Sequence, residues 1–153
     1  MTLRTPALND TPRLLHFVTQ MDDLLRRTRN EAAILERGQV LLEQLVMQDD
    51  WLPEEYAQPN PERYQQFLLY ADPEDRFSVV SFVWGPGQAT PIHDHTVWGL
   101  VGMLRGAELT QAFAQNEQGQ WVASGEKIRL EPGQVEAVSP TIGDVHRVWN
   151  VLD

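Results

Sequence analysis

Residues 87–106 read GQATPIHDHTVWGLVGMLRG, and residues 133–150 read GQVEAVSPTIGDVHRVWN. Three of the chain's four histidines, His93, His95 and His146, sit in these two stretches. In a β-strand, side chains two apart point to one face. His93 and His95 are therefore expected to share a face, with Asp94 turned away. His146, on a neighbouring strand, would complete a set of three imidazoles able to hold one metal ion. An H-x-H pair alone is a weak signal, because an isolated histidine is usually a packing or surface residue. His16, on a helical stretch, is read that way. The glycines and prolines around the pair raise its weight. They suit chain reversals at the corners of a small barrel, with the histidines projecting into its mouth.

Working outward, two regimes are expected. Residues 1–60 form a helical part. Thr11 can cap, Pro12 suits a first helical position, and Leu14, Phe17, Val18, Met21, Leu24 and Leu25 form an apolar stripe. A second stripe runs Ile34, Leu35, Leu41, Leu42, Leu45 and Val46, with Gly38 as a weak spot. Residues 64–153 change to short β segments: 77–84, 100–104, 109–114, 127–130, 135–138 and 146–152. Asn116-Glu117-Gln118-Gly119 reads as a hairpin loop. Many short strands punctuated by Gly and Pro suggest a mainly β fold, a small barrel or jelly roll. Residues 1–153 read as a single domain.

The bulk numbers exclude several functions. A chain of 153 residues is long enough for one real core and too short for two large domains. A net charge of −10 argues against nucleic acid and anionic membranes, which need clustered Lys and Arg. With no cysteine there is no disulfide, no thiolate zinc site and no cysteine nucleophile. No apolar run approaches the roughly 18 residues of a membrane span, so a cytoplasmic protein is expected.

Three neutral imidazoles leave the charge of a divalent ion uncompensated. Such a centre favours an anionic ligand, above all a thiolate, which a metal deprotonates. A three-residue face also leaves positions for substrate and O2 on non-haem iron. The tryptophans Trp84, Trp121 and Trp149 read as packing residues. Trp98, three after His95, is the one expected to touch a substrate pocket. Arg147 alternates with His146 and is expected to point away.

Gly87, the H-x-H pair, Gly99 and Gly106 match the spacing of the first motif of the cupin superfamily, with Gly99 where most members carry a glutamate ligand. Residues 133–150 resemble the second motif. The stretches from Arg76 to Gly87, from His93 to Gly99 and from Gly143 to Val148 closely resemble bacterial thiol dioxygenases, the cysteine dioxygenase and 3-mercaptopropionate dioxygenase-like cupins. The resemblance implies a cupin double-stranded β-helix with N-terminal α-helices. It implies Fe(II) on His93, His95 and His146, and the conversion of a small thiol carboxylate and O2 to a sulfinate. It places a carboxylate anchor at Gln66, with Gln65 as the neighbouring alternative. An uncharged glutamine there favours 3-mercaptopropionate over cysteine, since a bidentate arginine would hold a carboxylate more strongly. The cysteine–tyrosine crosslink of animal relatives cannot form without cysteine. The family's Ser-x-His-x-Tyr set would lie beyond Asp153, so the β part is expected to be incomplete at its C-terminus. A non-catalytic cupin that binds or senses a small ligand is the alternative reading. A sugar-phosphate isomerase would want a fourth protein ligand, which Gly99 does not provide.

Overall fold

A computed structural model describes residues 11–151 of the chain. Two helices come first, α1 (Pro12–Arg27) and α2 (Glu31–Val46). Seven strands follow: β1 (Gln65–Ala71), β2 (Ser78–Val83), β3 (Gly99–Gly102), β4 (Glu108–Gln115), β5 (Trp121–Leu130), β6 (Val135–Val138) and β7 (His146–Asn150). The expectation of a mainly β cupin-type fold with N-terminal helices is met.

The helices form where the apolar period puts them. Leu14, Phe17, Val18, Met21 and Leu24 of α1 are buried along one stripe. Thr11 stands at the N-cap of α1 but makes no side-chain cap bond, contrary to the sequence expectation, while Pro12 occupies the first turn. The true side-chain cap is at α2, where Asn30 Oδ1 accepts from the Ala33 N–H at 2.9 Å. The α1 stripe meets Leu45, Tyr56 and Leu69 in one core, against which Phe67, Val79 and Trp98 pack. Each fully buried side chain of this kind contributes about 1.5–3 kcal/mol relative to exposure.

The Gly38 weak spot has a packing reason. A Cβ there would stand 2.8 Å from Leu100 Cδ1, so the missing side chain lets α2 lie against β3. Gly102 does the same from the strand side. Its Cβ would stand 2.9 Å from Val46 Cγ1 and 3.0 Å from Leu42 Cγ. Arg76 ties α1 to the turn between β1 and β2, with Asp72 Oδ2 at 2.8 Å and Asp22 as a second partner. This guanidinium holds both carboxyls below the usual range.

The strands pair antiparallel in three small sheets, ordered β1-β2, β3-β6 and β5-β4-β7. The predicted hairpin loop joins β4 to β5, with the Asn116 N–H donating to Gln120 O and Gly119 in the left-handed region at φ 74°. Two strand segments lay outside the sequence expectation. β1 carries the unbroken apolar run Phe67-Leu68-Leu69-Tyr70, which shows no period of two. The first part of β5 is exposed from Trp121 to Arg129, so no buried face marks it in the sequence. Its place is set by pairing with β4 instead.

Among the described residues, β2 pairs only with β1, and β3 only with β6. Between them runs a cleft of about 1100 Å³, lined by residues that include Leu69, Val80, Phe82, Trp98, Val101 and Glu108.

Candidate metal centre

His146 opens β7 and is buried, 6% exposed. Gly143 prepares its direction. At φ 67° it takes a left-handed conformation that a side chain disfavours, and it ends the short 3₁₀ turn Pro140–Ile142. Asp144 and His146 then follow into the protein. His93 reaches His146 by an isolated antiparallel bridge, with reciprocal backbone bonds of 2.9 Å. His95 lies outside any strand. The H-x-H pair is thus held by one bridge rather than by a continuous strand, which corrects the expectation. The alternation still holds: Asp94 is exposed while His93 and His95 are half-buried. Arg147 is exposed beside buried His146 and Val148, as alternation requires.

One ligand nitrogen from each of His93, His95 and His146 lies within 4.8 Å of the other two. The Nε2 atoms of His93 and His146 stand 3.2 Å apart. Nitrogens sharing an ion at about 2.1 Å lie roughly 3.0–3.4 Å from each other, depending on the angle. His93 Nδ1 donates to Pro91 O at 2.9 Å, and His95 Nδ1 donates to Asp144 Oδ2 at 2.7 Å. Both Nε2 lone pairs are thereby left for a metal. Burial, reinforced by His93 and His95, pushes the His146 imidazolium down to about 4, so this ring is a neutral donor at neutral pH. Three imidazole nitrogens on one face fit non-haem iron, and imidazole equally suits zinc, copper or nickel.

Asp144 was not singled out by the sequence reading, although it stands two residues before His146. Its side chain is 5% exposed and fixes the tautomer and direction of His95. A second carboxylate cluster, Asp22, Asp72 and Glu74, has ligand-like spacing, but Arg76 already pairs with all three. His16 is exposed on α1, apart from the centre, as its helical position suggested.

Gly99 begins β3 opposite Val138. A Cβ at Gly99 would stand 3.0 Å from Val138 Cγ2, which gives the glycine a packing reason where many cupins have a ligand. Gln66 is exposed on β1 and pairs with Phe82, so the two share a face. Gln65 is half-buried and alternates with Phe67, whose ring meets Tyr56 edge-on at 5.8 Å. Gln66 stands opposite Phe82 and Gln65 opposite Val83, and both partners line the cleft. Trp98 packs against the helical core and lines the same cleft. Trp84 stacks on Tyr64 at 4.7 Å, and Trp149 receives the Lys127 ammonium at 5.2 Å. Both act as packing residues, as expected, whereas Trp121 on β5 is 48% exposed, contrary to that expectation.

No helix among the described residues is long and apolar enough to cross a membrane. The family model described as cysteine dioxygenase type I matches residues 5–153, nearly the whole chain, and both halves of the histidine set fall inside the match. The chain belongs to the cysteine dioxygenase type I family.

Proposed function

We propose that this protein is an iron(II)-dependent thiol dioxygenase acting on a small thiol carboxylate, 3-mercaptopropionate or cysteine. The observation that carries the reading is the convergence of His93, His95 and His146, with the outer nitrogens of His93 and His95 anchored, in a chain of this family. The overall change adds both atoms of O2 to the thiol sulfur and yields a sulfinic acid. When bound, iron(II) supplies the charge that deprotonates the thiol and the electrons that activate O2.

The chain's own residues bind and orient. His93, His95 and His146 hold the ion, and no carboxylate among them offsets its charge. Asp144 keeps the His95 proton on Nδ1. Gln66, with Gln65 as the neighbouring alternative, donates its amide N–H to the substrate carboxylate. Trp98, three residues after His95, gives the substrate an apolar wall. Thiol and O2 are the expected partners.

The test is anaerobic iron loading followed by O2 uptake with a panel of thiols. With ¹⁸O2, a sulfinate carrying two heavy oxygens is expected. Gln66→Ala should raise KM for 3-mercaptopropionate with little change for an uncharged thiol. A protein that binds iron and thiol but forms no sulfinate would instead be a ligand-binding cupin.

A further inference from the structure

Strands β3 and β6 turn their two faces to different neighbours. Leu100 lies against Gly38 of α2, and Gly102 lies against Leu42 and Val46 of the same helix. Gly99 and Val101 therefore face the other way, together with their partners Val138 and Glu136. Glu136 is half-buried on that face and accepts a bond from Thr110 Oγ1 at 3.3 Å. The face that carries Glu136 thus looks onto β4.

The register relates this carboxyl to the histidines. Thr110 pairs with Val148 and Ala112 pairs with His146 across β4 and β7. Thr110, Val148 and His146 are all buried on one face. The Thr110–Val148 pair is one step of two residues, about 7 Å, from the row of His146. Glu108, opposite Asn150, lies one step to the other side of Thr110, away from His146. Burial raises the Glu136 carboxyl above its usual range, and the Thr110 bond and the charge of His95 pull it back. His95 is thus an electrostatic neighbour of Glu136, and no Arg or Lys pairs with that carboxyl among the described residues. The three imidazoles bring no negative charge to an ion, and the Asp144 carboxylate is already engaged by His95 Nδ1.

We propose that Glu136 is the counter-charge of the metal centre, facing it across the space between the sheets and setting how strongly the loaded centre draws anions. The inference rests on the three-imidazole centre of the thiol dioxygenase reading and adds a residue that acts through space. Glu136 does not belong to the group of ligand atoms that lie within 4.8 Å of one another, so it is not a ligand here. Charges interact in inverse proportion to distance and dielectric, and a half-buried site has an effective dielectric far below that of water. A fixed carboxylate therefore stabilises a divalent ion one step away. It also opposes each anion that approaches the ion, and so moderates the pull of the centre on a thiolate and on its competitors. Thr110 is the positioning residue that aims this carboxylate.

The experiment uses cobalt(II)-loaded protein, whose visible absorption reports ligands entering the centre. Azide is the anionic probe and imidazole the neutral one. In Glu136→Gln, azide should bind at least about threefold more tightly and cobalt(II) at least about threefold more weakly. Imidazole should change by less than about twofold. Glu136→Asp keeps the charge and should stay closer to wild type. Thr110→Val removes the aiming bond and should shift azide in the same direction by a smaller factor. Glu126→Gln removes the same charge from the exposed ribbon of β5 and should shift neither probe. Unchanged azide affinity in Glu136→Gln would overturn the role of Glu136, as would equal gains for azide and imidazole, which mean a widened pocket. So would an equal shift in Glu126→Gln, which reports net charge alone. A wild-type protein that takes up no cobalt would remove the three-imidazole centre and this inference with it. None of these readings involves O2. The azide shift in a protein that forms no sulfinate would keep the role of Glu136 and remove the dioxygenase reading.

Discussion

His95 Nδ1 donates to Asp144 Oδ2 at 2.7 Å, and that carboxylate is almost fully enclosed. The bond joins the two histidine-bearing stretches of the chain and decides which nitrogen of His95 faces the metal. Outer partners of this kind typically govern affinity by about 10–100-fold. Asp144→Ala should therefore weaken iron binding by that order, measured by competition with a chelator. Asp144→Asn should fall between the two, because its carbonyl still accepts the bond without the charge. Unchanged affinity in both variants would mean that His95 is oriented by packing alone.

Metal binding should be a stability term. A ligand that binds only the folded chain stabilises it in proportion to its saturation. Chelation should lower the melting temperature of the loaded protein, and His146→Ala should abolish that difference. His16→Ala, on the exposed face of α1, should leave metal content unchanged. Full iron occupancy in His146→Ala would remove the three-imidazole assignment.

Glu108 should tilt the pH dependence of stability in the metal-free protein. Its folded pKa, about 7, lies above its ordinary value of 4.5. The unfolded chain then releases the proton first, so stability is present below pH 4.5 and is lost as pH rises through 7. The full effect is bounded at about 3 kcal/mol by the size of the shift. In denaturant titrations, Glu108→Gln should gain stability relative to wild type between pH 4.5 and 8. His146 acts in the opposite sense. Its folded pKa, about 4, lies below 6.5, so its contribution is lost as pH falls from 6.5 to 4. A pH-independent difference between Glu108→Gln and wild type would show that the carboxyl is solvated.

Gly102 should be intolerant of even one methyl. Its Cβ would meet Val46 Cγ1 at 2.9 Å and Leu42 Cγ at 3.0 Å, and the branched Val46 cannot easily turn aside. Overpacking of this kind costs about 1–3 kcal/mol. Gly102→Ala should lose that much in urea unfolding. Val46→Ala should recover part of the loss in the double variant, since it vacates the contact. Additive losses would place the strain elsewhere.

Much of this protein is legible in local periods. The spacing of Leu14, Phe17, Val18 and Met21 dictates α1, because one stripe must be buried. The alternation around Arg147 puts His146 inward and the charge outward, because successive strand side chains oppose each other. The hairpin at Asn116–Gly119 follows from turn chemistry alone. Strand β5 was less visible, since an exposed ribbon carries no hydrophobic period and is placed by its hydrogen bonds to β4. Residues that act through distant partners were invisible for the same reason. Asp144 is ordinary until it meets His95, 49 positions away, and Glu136 is ordinary until Thr110 brings it beside Glu108. Gly38 looked like a flaw in a helix and proved to be the space that β3 needs. Sequence alone determined which side chains face inward, because that depends on backbone period. Tertiary structure decided which of them meet, because burial strips away water and makes each polar group depend on whatever neighbour the register supplies.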